Sequence, residues 1–417
     1  MIPFFFPLWP MAVAPSGSGG TPPPRRVRSA MSPRTSTPRS RPARVLSARA
    51  LNRALLARQL LLRHSRMSVP DTVEHLVGLQ AQAPFSPYFA LWSRLEGFRP
   101  EALSRCLLDR SAVRIVLMRG TLHLVTARDA LAIRPVVQPV LERAFASSAY
   151  HRKLAGVDLA ALEAAGRALV EEKPRTPAEL GALLEARWPG RDSGSLAQAI
   201  RSLLPLVQVP PRGVWGQSGQ PTLTTAEAWL GRPMVSDGSP DALVLRYLAA
   251  FGPASVKDLQ VWSGLTRLRE VVERLAPGLR AYRDEKGQEL WDVPDAPRPD
   301  PDTPAPPRFL PDFDNVLLSH GDRGRIVPDA YRPRLTRVNG VLPGTVLVDG
   351  FVRGSWKLQR ERDTATLLVE PFKRLSSEDR AAVAEEGTRL LTFAAPEAKT
   401  WDIRFTSLKV QARARAR

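Results

Sequence analysis

The sequence predicts an α+β chain, mainly α, with three tandem winged helix-turn-helix units followed by a small C-terminal β-barrel. Three observations point there. Capped helices are followed by short β-rich hairpin signals, that helix–helix–hairpin pattern recurs along the chain, and beyond residue 299 β-rich runs take over.

At 417 residues the chain is long enough to bury several cores. The expected units are 46–150, 151–235 and 236–298, then the barrel at 299–408. Residues 1–45 read as a disordered basic tail, because Pro, Ser, Gly and Arg bury too little apolar surface to offset ordering entropy. An overcalled start, with Met31 or a nearby site as the true beginning, is an alternative for that stretch. Residues 409–417 are a second basic tail. Met1–Pro10 is apolar but too short to span a bilayer, and it lacks the basic flank of a secretory signal.

In the first unit, Leu51–Leu62 has helical apolar spacing, and Ser68 or Pro70-Asp71 opens a helix running to about Gln80. Ser86–Leu95 and Pro100–Leu108 are two more helices. Val113–Met118 and Thr121–Val125 flank Arg119-Gly120 as a hairpin. The second unit starts at Thr176-Pro177-Ala178-Glu179, a capping signature, and its helix ends near Trp188. Helix Leu196–Leu204 follows, with a wing made of Val207–Val209 and Val214-Trp215. The third unit opens at Ser255, turns at Ser263–Thr266, continues as helix Arg267–Leu275, and ends in a wing around Gly287. A Pro/Asp-rich linker, Pro294–Pro307, leads to glycine-punctuated strands between Thr345 and Leu358, a strand at Thr364–Glu370 and a helix at Ser377–Phe393.

Formal net charge is +19, and the first fifty residues hold only eight arginines of that excess and no acid. A polyphosphate partner matches such a surplus, since neutralised phosphates release counterions. Cys106 stands alone, so no intrachain disulfide forms, which fits a reducing cytoplasm. His64, His75, His123, His151 and His320 are scattered without zinc-ligand spacing, and neither metal nor cofactor is expected. Phosphate-binding glycine loops, nucleophile elbows and HExxH are absent from the sequence.

That leaves Gln80 and Gln82, in Val77-Gly78-Leu79-Gln80-Ala81-Gln82, as an amide pair able to place a water molecule. By themselves two glutamines near a helix end more often solvate or cap it. Arg119 and His123 on the hairpin, and His320 and Arg323 further on, are candidate DNA contacts. Asp312 and Asp314 suit structural hydrogen bonding better than catalysis, and Tyr88 and Trp92 suit a core better than base stacking.

The run from Leu51 to Val125, with GLQAQ and RGTLHLV, together with FLPDFDNVLLSHGDR (309–323) and DGFVRGSWKL, resembles the AlkZ/YcaQ family of bacterial DNA glycosylases. The resemblance covers roughly Leu46 to Phe405. It implies winged helices and a β-barrel around double-stranded DNA, with alkylated purines as lesions and some members unhooking interstrand crosslinks. The family motif, Gln-x-Gln or Gln-x-Asp, falls on Gln80 and Gln82, and the second Gln favours the AlkZ-like branch. A carboxamide is no general base, but an N7-alkylated purine is already cationic and leaves readily, so water placement and electrostatics suffice. A monomer in the cytoplasm, associated with the nucleoid and not with a membrane, is expected. The alternatives are a non-catalytic winged-helix DNA-binding protein, such as a regulator or lesion sensor, and an interaction scaffold that has lost DNA.

Overall fold

The computed structural model describes residues 44–235, 238–335 and 342–406; the two expected tails lie outside them, apart from Arg44 and Val45. Arg44–Leu46 is strand β1. Ser47 caps helix α1, Ala48–Arg58, by accepting from the Ala50 N–H, and Ser68 caps α2, Val69–His75. The helix expected to reach Gln80 stops at His75. Val77 and Gly78 both take left-handed backbone, φ 54° and 86°, and swing the chain into strand β2, Leu79–Gln80. A Cβ on Gly78 would lie 2.6 Å from Val125 Cγ1, so glycine alone fits that approach.

Helices α3 (Ser86–Trp92) and α4 (Pro100–Leu108) lead to the hairpin β3 (Ala112–Val116) and β4 (Leu122–Thr126). Thr126 then caps α5, Ala127–Ala146, a long helix that the sequence reading omits because Pro135 and Pro139 interrupt it. The second unit holds α6 (Ala149–Arg152), α7 (Leu159–Glu172), α8 (Pro177–Arg187) and α9 (Ser193–Leu203). Thr176 and Glu179 form the expected reciprocal capping box. Its strands are β5 (Leu206–Val209) and β6 (Thr222–Thr225), which corrects the wing strand expected at Val214-Trp215. Trp215 instead joins an aromatic cluster, its ring centroid 4.9 Å from that of Tyr88 and 5.5 Å from that of Phe393.

After α10 (Ala226–Leu230) come α11 (Asp241–Phe251), α12 (Val256–Ser263) and α13 (Leu268–Leu275), then the hairpin β7 (Arg280–Asp284) and β8 (Glu289–Asp292). The remainder is β9 (Arg308–Leu310), α14 (Arg332–Leu335), β10 (Thr345–Val348), β11 (Phe351–Glu361), β12 (Thr364–Pro371), α15 (Ser377–Ala394) and β13 (Thr400–Phe405).

Three sheets result. The first two hairpins are fused into one five-stranded antiparallel sheet, order β2-β4-β3-β5-β6, through Arg114 opposite Gln208 and Ile115 opposite Val207. Strand β1 pairs in parallel with β7, tying the start of the described chain to the third hairpin. The C-terminal strands form an open sheet, order β13-β12-β11-β10-β9, and no closed barrel forms among the described residues. Helix α15 reaches both edge strands across one face, and its Val383 and Leu390 share a core with Phe309 and Leu367, so a helix closes what a barrel seam would have closed.

A single apolar cluster runs from Leu55 through Ile115 and Tyr247 to Val352, crossing every expected boundary. Buried ion pairs reinforce it. Arg58 donates to both oxygens of Asp292 at 2.7 and 2.8 Å, and Arg94 to both of Asp314 at 2.8 and 2.9 Å. All four side chains are completely enclosed. A share of the arginines that suggested a basic surface therefore serves inside the fold.

Candidate active site at the Gln-Ala-Gln segment

The turn at Val77-Gly78 decides where the two glutamines go. It places Gln80 on β2 directly opposite His123 on β4, so both side chains share one face of the sheet. The Gly78 carbonyl accepts from Asn315 Nδ2 at 2.7 Å, which fastens the turn to the loop after β9.

Every residue of the motif is held. Gln80, 6% exposed, accepts through Oε1 from an Arg119 guanidinium N–H at 2.8 Å. The Ala81 N–H donates to the Leu122 carbonyl at 2.7 Å, and the Ala81 carbonyl accepts from Arg114 at 2.9 Å. Gln82 is exposed, and its Oε1 accepts from the Leu122 N–H at 3.3 Å, extending the strand ladder by a side chain. Each amide carbonyl thus keeps one lone pair free of these bonds. A tight crevice beside Gln80, with no space for a water molecule as it stands, is lined by Ser86, Ala90, Asp312 and Phe313; Gln82 does not line it.

Arg119 corrects the expectation of a DNA contact: both arms of its guanidinium are engaged inside the protein. Its second arm donates to the Trp262 carbonyl at 2.7 Å, because the end of α12 packs on this turn: a Cβ on Gly264 would sit 3.5 Å from both the N and Cα of Arg119. Burial, then the positive charge of Arg323, pulls its guanidinium down to about 10, so it stays cationic at neutral pH. His123, 2% exposed, donates from Nδ1 to the Thr121 carbonyl at 2.9 Å. Burial and then Arg119 push it down to about 3, which keeps the ring neutral. It faces the motif and not open solvent.

His320 corrects a second expectation. It is 2% exposed, with Nδ1 against Ser319 Oγ at 3.0 Å and Nε2 against the Phe251 carbonyl at 3.1 Å. Both ring nitrogens are engaged, so it is a core group and not a DNA contact. Arg323 is half-buried and close enough to Arg119 to be felt electrostatically, and burial and then Arg332 lower its pKa. No carboxylate pairs with it among the described residues.

The two aspartates of the Phe309–Asn315 loop separate in role. Asp314 is buried against Arg94, whereas half-exposed Asp312 lines the crevice with Gln80. Tyr88 and Trp92 lie in the core, Tyr88 donating to the Gly213 carbonyl at 2.8 Å. Sequence reasoning missed Arg114, although a lone charge inside the apolar run Ala112–Val116 was a visible signal. No helix among the described residues is long and apolar enough to cross a membrane.

The fold has counterparts among known proteins. An interstrand DNA cross-link repair glycosylase from Streptomyces sahachiroi is 25% identical over 334 residues, which span 73% of this chain and 85% of the relative. The solved structure of the Streptomyces sahachiroi DNA glycosylase AlkZ superposes with a TM-score of 0.72 at 21% identity, covering 87% of this chain and all of that one, and shows a common mixed α+β fold. The family model for AlkZ-like DNA glycosylases matches residues 73–393, taking in the Gln-Ala-Gln segment, Arg119, His123 and the Phe309–Arg323 region. The chain therefore belongs to the AlkZ-like family of DNA glycosylases, enzymes that act on N-glycosyl bonds in DNA.

Proposed function

We propose that this DNA glycosylase is monofunctional, excises N7-alkylated purines from double-stranded DNA, and unhooks interstrand crosslinks joined through such purines. The observation that carries the reading is the pair of carboxamides, Gln80 and Gln82, each oriented by a hydrogen bond to its Oε1 that leaves one carbonyl lone pair unengaged. Those lone pairs orient a water molecule toward C1′ and favour the positive charge that grows on the sugar. Water oxygen bonds to C1′ as the C1′–N9 bond breaks. The bonding electrons leave with the base, neutralising its N7-alkyl cation, and the attacking water's proton passes to solvent. Unmodified purines, with poor leaving groups, stay in place. The name of the Streptomyces sahachiroi relative supports crosslinks as one substrate class.

The units 46–150, 151–235 and 236–298 act as three winged helices around the duplex, with the open C-terminal sheet and its helix α15 closing one side. Arg323 reaches a phosphate. The enzyme works as a monomer at the nucleoid in the cytoplasm, without cofactor or metal.

The test is single-turnover release of N7-methylguanine from duplex DNA, read as alkali-labile breaks. Wild type releases the base, and Gln80→Ala and Gln82→Ala each slow release by about 100-fold. Arg323→Ala weakens binding and lowers the log–log salt slope by about 0.9. Wild-type silence on N7-alkyl lesions of several sizes refutes the substrate class.

A further inference from the structure

We infer that Arg119 is a positioning residue for base release: it fixes which end of the Gln80 amide meets the substrate, and it does not touch DNA. This rests on the reading of Gln80 as the residue that places water. A guanidinium only donates, so the atom of Gln80 facing it has to be the carbonyl oxygen. A flipped amide would set N–H groups against N–H groups. The orientation of Gln80 is therefore imposed by its neighbour.

Arg119 is itself held at three points. One arm is on Gln80 and the other on the Trp262 carbonyl in the last turn of α12, where the negative end of the helix favours a cation. Its backbone is left-handed, φ 58°, beneath the close approach of Gly264. An arginine with both arms engaged inside the protein and its main chain clamped has little left to offer a phosphate. A left-handed non-glycine residue next to a reacting group is a frequent mark of a built site. The bridge also makes the third unit a part of the first unit's chemistry, because the end of α12 supplies the second anchor.

Without Arg119, Gln80 keeps its side chain but regains rotamers and the flipped amide, so the water is placed correctly only part of the time. Arg119→Ala is then expected to slow single-turnover release of N7-methylguanine by about 10- to 100-fold. DNA affinity and its salt slope are expected to remain those of wild type. Arg119→Lys recovers part of the rate, since an ammonium still donates to Oε1. The double variant Arg119→Ala/Gln80→Ala is expected to be no slower than Gln80→Ala alone, because Arg119 acts only through Gln80.

Three results overturn the inference: wild-type rate in Arg119→Ala, multiplying losses in the double variant, or a loss confined to affinity with the salt slope falling by about 0.9. If Arg119→Ala does not fold, as judged by its melting curve, Arg119→Lys and Arg119→Met carry the same comparison against Gln80→Ala. Wild-type inactivity on this lesion would refute the proposed substrate instead, which keeps the two failures apart.

Discussion

Gly78→Ala is the smallest change that tests whether the turn before the motif sets the active geometry. Alanine at φ 86° occupies a backbone region disfavoured for L-residues by about 1–2 kcal/mol. Its methyl group would also stand 2.6 Å from Val125 Cγ1 and 3.1 Å from the Leu124 carbonyl oxygen. The carbonyl belongs to β4 and cannot rotate away, so β2 must shift, an overpacking penalty of about 1–3 kcal/mol. Together the expected loss is about 2–5 kcal/mol, read from urea denaturation. The displaced strand carries Gln80 away from Arg119 and His123, so base release falls further than the folded fraction does. Gly78→Ala/Val125→Ala removes the nearer clash but not the backbone strain, and is expected to lie between Gly78→Ala and Val125→Ala in its effect on β2. A Gly78→Ala protein with wild-type denaturation midpoint and wild-type release rate would refute the claim that this glycine sets the motif's position.

Two further expectations follow from buried charge. Asp314→Ala leaves Arg94 enclosed without its carboxylate and is expected to lose about 3–5 kcal/mol, while Arg94→Met/Asp314→Leu loses less; melting curves compare them, and equal losses reject the argument. Burial pushes His123 down to about 3 and holds His320 well below the imidazole's usual 6.5, so at intermediate pH the unfolded chain binds more protons. Stability is then full above pH 6.5 and declines as pH falls toward 3, by up to about 1.4 kcal/mol per pH unit for each ring. Urea midpoints measured from pH 7 to pH 4.5 check this, and His320→Gln flattens the decline; a level profile in wild type removes it.

Local signals carried well from sequence to structure. The Ser68, Thr176 and Ser255 caps start helices α2, α8 and α12, and the turn at Gly287 joins β7 to β8, because caps and turns satisfy backbone groups within a few residues. Long-range partners were illegible. Nothing in Arg114-Ile115 names Gln208-Val207 as the strand alongside, and Val214-Trp215 imitates a strand although it feeds an aromatic cluster. The glutamine pair was visible as residues but not as geometry. Apolar spacing runs on past His75, whereas two left-handed residues end the helix there. Arg119 and His320 are illegible for one reason: a polar residue carries no local mark of burial, and here the carbonyls of Trp262 and Phe251 accept them within.

The seam between β3 and β5 also governs how this enzyme can be taken apart. A fragment ending at residue 150 would leave β3 with an unpaired row of amides and carbonyls, and a fragment beginning at 151 would do the same to β5. Exposed edges of that kind recruit other chains, so either half expressed alone is expected to self-associate, whereas 44–235 retains the pairing. Even the fused pair is no transplantable piece, because its buried Arg58 and Arg94 find their carboxylates at Asp292 and Asp314, so the glutamines travel only with the later units.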